Sequence, residues 1–127
     1  MTDKELLAAA VKAAENSYSP YSHFRVGAAL MAENGKVYTG CNIENASFGL
    51  TNCAERTAVF KAVSEGESEF VAIAIAAKTK AWPCGACRQV LNEFAPHIRV
   101  LITWNDSVEE RNLRDLLPEG FGPNDLN

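Results

Sequence analysis

Cys53-Ala54-Glu55 and Pro83-Cys84-Gly85-Ala86-Cys87 are the segments whose residue types could do chemistry. Three thiolates can hold a tetrahedral zinc and leave its fourth position open to water, the arrangement of a catalytic rather than a structural site. Glu55, two residues after Cys53, could reach that water without occupying the metal. A carboxylate so placed can accept a proton and later deliver it to a reacting molecule. Both cysteine groups follow a loop and open a predicted helix. Unpaired N–H groups and the positive end of the helix dipole favour thiolate over thiol there. A divalent zinc with three thiolates carries a net negative charge, so a neighbouring cation is needed to draw electron density off the sulfurs. Arg56, one helical turn after Cys53, suits that role; Arg88, directly after Cys87, is the alternative.

Other chemistries use some of the same residues. Trp82-Pro83-Cys84-Gly85-Ala86-Cys87 follows an apolar run and opens a helix, which is also how a thioredoxin-like dithiol is built. That reading leaves Cys53, Glu55, Asn42 and Glu44 without a purpose. A structural zinc module would need a fourth protein ligand, and Cys41, His23 and His97 are available on paper. Structural disulfides are disfavoured for a chain expected in a reducing compartment.

The elements that must position these residues follow from periodicity. Thr2 to about Ser17 reads as a helix capped by Thr2 or Asp3, with Leu6, Leu7, Ala10, Val11 and Ala14 on one apolar face. Val26–Met31 and Lys36–Cys41 read as strands of a hairpin turned at Asn34-Gly35. Asn42 to Asn52 lacks periodicity and reads as loop. A helix runs from Cys53 to about Ser64, with Ala54, Ala58, Val59, Ala62 and Val63 inward, and Gly66 stops it. Phe70–Ala77 is nearly all apolar, which suits a strand covered on both faces. A helix from Cys84 ends before Pro96, Arg99–Thr103 is a further strand, and a short strand near Val108 and a helical turn at Leu113–Leu117 follow. The tail from Pro118 reads as irregular. Strands alternating with helices predict parallel pairing after the hairpin and helices on both faces of a mixed sheet.

The bulk properties narrow the function classes. The chain has 127 residues, 47% apolar and 22% charged, and shows no repeat or linker, so one domain spanning residues 1–127 is expected. A net charge of −4 gives no general field for phosphate backbones, so no nucleic-acid partner is expected. No apolar run approaches a membrane span, and Met1-Thr2-Asp3-Lys4-Glu5 does not read as a secretory leader. The expectation is a cytoplasmic protein with a small-molecule substrate and no membrane partner.

Cys-Ala-Glu followed by Pro-Cys-x-x-Cys resembles the zinc-dependent nucleoside and nucleotide deaminases. Cysteine rather than histidine at position 53 is similar to the cytidine deaminases within that class. Pro20-Tyr21-Ser22-His23-Phe24-Arg25-Val26-Gly27-Ala28-Ala29, Gly40-Cys41-Asn42-Ile43-Glu44-Asn45-Ala46 and Leu116-Leu117-Pro118 with Phe121 extend the resemblance over nearly the whole chain. It implies an α/β fold, a three-layer α/β/α sandwich with a mixed sheet of about five strands. It implies one Zn2+ per chain on Cys53, Cys84 and Cys87, with Arg56 behind them. The reaction implied is hydrolytic deamination of cytidine and deoxycytidine to uridine and deoxyuridine, with release of ammonia, in pyrimidine salvage. A zinc-activated water would attack C4 while Glu55 relays protons to N3 and the leaving amine. Asn42 and Glu44 would hold the ribose hydroxyls, Phe24 would pack on the pyrimidine face, and the Ala54 backbone would meet the ring's amide edge. Short members of the family are homotetramers with shared active sites, and Ala46, Phe48 and Phe121 stand where contacts donated by a neighbour would lie. Phe48 occupies a position often held by tyrosine, which limits it to apolar packing. The resemblance treats Cys41 as a buried non-ligand.

Overall fold

The computed structural model describes residues 1–126. Thr2 and Glu5 form a reciprocal cap at the first helix, Glu5 N–H donating to Thr2 Oγ1 (3.1 Å) and Thr2 N–H to Glu5 Oε1 (2.9 Å). Helix α1 spans Asp3–Ala13 and tightens into a 3₁₀ turn at Ala14–Asn16. Strands β1 (Gly27–Ala32) and β2 (Val37–Cys41) pair antiparallel through the Asn34-Gly35 turn, where Gly35 has φ 91°. Helix α2 (Ala54–Ser64), strand β3 (Phe70–Ala76), helix α3 (Gly85–Phe94) and strand β4 (Arg99–Trp104) follow. Strand β5 (Ser107–Asn112) and the short helix α4 (Leu113–Leu116) close the sequence of elements, ahead of a 3₁₀ turn at Pro123–Leu126.

The five strands form one sheet in the order β2-β1-β3-β4-β5. Only β3 and β4 are parallel; the other neighbours are antiparallel. The alternation of β3 divides the core. Ala72, Ala74 and Ala76 face α1 with Leu6, Ala10, Ala29 and Leu101, whereas Ile73 and Ile75 face α2 and α3 with Leu30, Val59, Leu91, Val100 and Ile102. The result is three layers: α1, the sheet, and α2 with α3. Small residues on the α1 face let backbone approach backbone. A Cβ on Gly27 would stand 2.0 Å from the Ala10 carbonyl oxygen.

Three features differ from the periodicity reading. Val11 and Val63 are 53% and 37% exposed rather than inward. The short strand near Val108 is a full partner of β4, six residues long. Its residues Ser-Val-Glu-Glu-Arg-Asn carry no hydrophobic alternation, so pairing with the buried β4 makes the strand. Asn105 (φ 46°) and Asp106 (φ 66°) supply the two left-handed positions of a tight hairpin turn. The segment 42–52 is also more ordered than a plain loop. Ile43 forms isolated bridges to Tyr18 and Asn52, and Phe48–Leu50 makes a 3₁₀ turn.

Candidate active site and metal centre

Cys53 and Cys84 are the N-caps of α2 and α3, with extended backbone and no side-chain bond to the helix end. Their sulfurs are therefore free to face one another across the two helix starts. Cys53 Sγ and Cys84 Sγ are 3.9 Å apart, Cys84 Sγ and Cys87 Sγ 3.6 Å, and all three lie within 4.8 Å. Tetrahedral zinc with bonds of about 2.3 Å would hold its sulfurs about 3.8 Å apart, so the spacing fits zinc. It is far too long for a disulfide, whose sulfurs are about 2.05 Å apart. Among the described residues no other Cys, His, Asp or Glu joins the cluster. Cys41, on β2, stands opposite Gly27, and neither His23 nor His97 reaches the sulfurs. The cluster therefore offers three protein ligands, one short of a tetrahedral set.

The electrostatics of the cluster call for a cation. The Cys53 thiol is pushed down to about 5, first by its hydrogen bond with Cys87 and then by Arg56. Cys87 is pushed up, because a second thiolate beside the first is resisted and the sulfur is buried. Arg56 Nη2 donates to Cys53 Sγ at 3.2 Å, and its own ionisation is held above the usual guanidinium range by that contact. Its Nε is buried without a partner among the described residues, so the sulfurs are what hold the guanidinium. Arg88 does something else. Its Nε donates to the Pro83 carbonyl (2.7 Å) and its Nη1 to the Leu116 carbonyl (2.7 Å), tying the turn before Cys84 to α4.

Glu55 is 6% exposed in the first turn of α2. Burial pushes its carboxyl up to about 7, and the Cys53 thiolate adds to the rise while Arg56 opposes it. A carboxyl poised there can both accept and release a proton near neutral pH. Glu55, Cys53, Cys84 and Ala54 line one cavity of about 290 Å³ together with Phe24, Val26, Asn42, Glu44, Ser22, Trp82 and others. This volume is at the small end of ligand pockets.

The polar end of the cavity is built by long-range hydrogen bonds. Asn42 Oδ1 accepts from Val26 N–H (3.0 Å) and from the Ser17 hydroxyl, while Nδ2 donates to the Phe24 carbonyl (2.7 Å). Glu44 Oε1 accepts from the N–H groups of Tyr21 (2.9 Å) and Ser22 (3.1 Å), and Oε2 from the Ser22 hydroxyl. These bonds hold the Glu44 carboxyl below the usual range, the Ser22 hydroxyl contributing most. Ser22, Thr51, Ile75, Ala81 and Trp82 were given no site role from the sequence, although Ser22 and Trp82 stand within segments it singled out. Nothing local announces that either faces a cavity.

Ala46, Phe48 and Phe121 are not among the residues lining this cavity. Phe48 is 74% exposed, meets Tyr21 edge to face at 5.8 Å, and borders an adjoining cavity with Ser22, Glu44 and Thr51. Ala46 is exposed. Phe121 is 56% exposed, and its carbonyl accepts from Gln89 and Asn92 of α3.

Comparison with known proteins agrees with this geometry. Residues 1–103 match the model of the cytidine and deoxycytidylate deaminase zinc-binding region. The chain is 50% identical to the cytidine deaminase of Halalkalibacterium halodurans, over all of this chain and 99% of that one. The crystal structure of cytidine deaminase from Burkholderia pseudomallei superposes with a TM-score of 0.90 at 49% identity, covering 95% of this chain and all of that one. The cytidine deaminase from Mycobacterium tuberculosis superposes with a TM-score of 0.84 at 42% identity, over 96% and 99% of the two chains.

Proposed function

The chain belongs to the cytidine and deoxycytidylate deaminase family, and from that premise we propose that it is a zinc-dependent deaminase of cytidine and deoxycytidine. One observation carries the reading: three sulfurs spaced for zinc share a cavity with a buried glutamate. The overall change consumes water and yields uridine or deoxyuridine and ammonia. Cys53, Cys84 and Cys87 would hold the zinc, which when bound would act as a Lewis acid and lower the pKa of a water molecule.

The chain's own residues account for the remaining steps. Glu55 accepts one proton from the water and delivers it to N3, then accepts the proton left on the attacking oxygen and delivers it to the departing amine, since an amine leaves poorly unless protonated. The desolvated environment that raises its pKa suits both roles. Arg56 offsets the charge of the sulfurs through Cys53. Phe24 packs on the pyrimidine, and the backbone of Ala54 meets the ring's amide edge. Glu44, ionised and fixed by Ser22 and Tyr21, accepts a sugar hydroxyl on the open side of Oε2. Asn42 retains one N–H for the same sugar. A free base would leave these groups unpaired, which selects for nucleosides. The Glu44 charge also repels a 5′-phosphate.

The same reading makes residues 1–127 one catalytic domain, with no nucleic-acid partner, in the reducing cytoplasm where thiols remain available to metal. No helix among the described residues is long and apolar enough to cross a membrane. We further propose a homotetramer with shared sites. Exposed Phe48, Leu50, Phe60 and Phe121, at 74%, 70%, 49% and 56%, are apolar surface of the kind that subunit contacts cover. Ala46, Phe48 and Phe121 would then complete a neighbour's cavity.

The test is an ultraviolet assay of zinc-loaded protein against cytidine, deoxycytidine, cytosine, dCMP and adenosine, with Glu55→Gln alongside. The nucleosides should be turned over and the variant should keep zinc while losing at least about 10²–10⁴ in kcat. Near-normal turnover by Glu55→Gln would remove Glu55 from the mechanism, and a preference for dCMP would contradict the role of Glu44. Light scattering of the purified protein tests the tetramer.

A further inference from the structure

Trp82 lines the site cavity but has no role in the scheme above. It stands two residues before Cys84 and therefore at the metal end, whereas Ser22, Asn42 and Glu44 make the sugar end. Pro83 restricts the Trp82 backbone to extended conformations and is itself buried, which fixes where the indole is attached. One side of the indole packs against the larger core cluster. From β5, the Arg111 guanidinium lies over the ring, 5.4 Å from its centroid. Two residues earlier, Lys80 lies over the Trp104 ring at 5.5 Å and pairs with Glu109 at 2.8 Å. Glu109 also pairs with Arg111 at 3.3 Å. The segment before the Cys84 turn is thus fastened to the β4–β5 hairpin at two places.

The geometry of a pyrimidine gives this wall a purpose. With C4 at the metal end and the sugar at Glu44, two ring edges flank C4. The N3 edge faces Glu55. In that orientation the C5 edge would face the other lining of the metal end, to which Ala81 and Trp82 belong. We propose that Trp82 closes the pocket against substituents at pyrimidine C5 and that Arg111 is a positioning residue that holds the indole in place. This rests on the deaminase reading above.

The experiment compares kcat/KM for cytidine and 5-methylcytidine in the zinc-loaded wild type, Trp82→Ala, Trp82→Phe, Arg111→Ala and Arg111→Lys. The ratio of the two values cancels any loss of zinc or folded fraction, because both substrates meet the same active enzyme. Trp82→Ala should raise the 5-methylcytidine to cytidine ratio by about 10-fold or more, the scale on which one methyl group is discriminated in a pocket. Trp82→Phe should raise it less. Arg111→Ala should raise it by about two- to fivefold, the scale of an exposed cation–π contact, and Arg111→Lys should restore most of the difference. If Trp82→Ala is insoluble, Trp82→Leu carries the same expectation. A ratio unchanged in the Trp82 variants, with cytidine still deaminated, overturns the proposal. An unchanged ratio in Arg111→Ala alone overturns the part given to Arg111. A wild type inert towards cytidine would instead overturn the deaminase reading.

Discussion

Gly40 lies on β2 against the first turn of α2, and Gly40→Ala tests whether that contact sets the site. A Cβ at position 40 would stand 2.5 Å from the Ala54 carbonyl oxygen and 2.6 Å from the Ala58 nitrogen, where ordinary contacts begin at 3.4 Å. The shortfall is about 0.9 Å, and the opposing atoms are helix backbone, which cannot rotate aside. Either the start of α2 moves, taking Cys53 and Glu55 with it, or β2 bows outward and shifts Asn42. Overpacking of this kind costs about 1–3 kcal/mol, which for a domain of this size lowers Tm by about 5–15 °C. A displacement near 1 Å at the reacting groups can reduce kcat by about 10²-fold. Gly27→Ala is the matched control. Its Cβ would stand 2.0 Å from the Ala10 oxygen and 2.4 Å from the Ala14 nitrogen. There β1 is pinned between β2 and β3, so α1 must yield, and α1 carries no site residue. Calorimetry and deamination rates per bound zinc should show both variants destabilised and only Gly40→Ala slow. Wild-type kcat in Gly40→Ala, or equal rate losses in the two, would refute the reasoning.

Other outcomes follow from single contacts. Arg56→Ala removes the 3.2 Å donor to Cys53 Sγ. It should slow turnover and weaken zinc retention against a chromogenic chelator by about 10–100-fold, as loss of an outer partner of a ligand does. Cys41→Ser should keep zinc and activity, because Cys41 is outside the cluster; release of metal from that variant would mark a closed structural centre instead. Arg99 bonds Asp3 at 2.6 Å and Glu110 at 3.0 Å, and both carboxyls are held below their usual range chiefly by those hydrogen bonds. Depressed carboxyl pKa values contribute stability above the unfolded value, near pH 4, that disappears as pH falls through the folded values. The groups are nearly half exposed, so solvent screening limits the effect to under about 1 kcal/mol. Arg99→Ala should therefore lower Tm slightly at neutral pH and not at pH 2, and an equal loss at both would show that packing, not charge, is at stake.

Local chemistry made part of this protein readable in one dimension. Both metal-binding segments begin helices, and a helix start is a short-range event fixed by a few residues. Cys53, Glu55, Cys84 and Cys87 could thus be assigned to it before any fold was known. The apolar run of β3 likewise announced a strand covered on both faces, which the burial of Ile73 and Ala74 in core clusters on opposite sides of the sheet bears out. β5 was nearly invisible, because its polar residues become a strand only through β4. Trp82 and Ser22 were invisible as cavity residues for a related reason. Each meets a partner far along the chain, Arg111 over the Trp82 ring in one case and Glu44 bonded to the Ser22 hydroxyl in the other.

Asn42 shows where motif reading reaches its limit. Its polarity and place suggest a sugar contact, yet its carbonyl oxygen already accepts from Ser17 and Val26 and its amide nitrogen already donates to Phe24. The side chain that faces the cavity also fixes the Phe24–Val26 segment that forms part of the wall. Only one N–H is left for a ligand, so in the proposed function Asn42 would serve the sugar as a donor, while it serves the fold as both acceptor and donor. Glu44 has the complementary character: Oε1 is occupied by two backbone N–H groups and Oε2 keeps acceptor capacity. In the proposed function they would together offer a sugar hydroxyl one donor and one acceptor, which is what a hydroxyl can use at once. In the proposed function, replacing Asn42 by alanine would disturb Phe24 as well as the sugar, whereas Ser22→Ala would loosen Glu44 and remove the acceptor of the Phe24 N–H (3.0 Å) while leaving the Asn42 side-chain partners in place, a difference read as the split between KM and kcat for cytidine in the two variants.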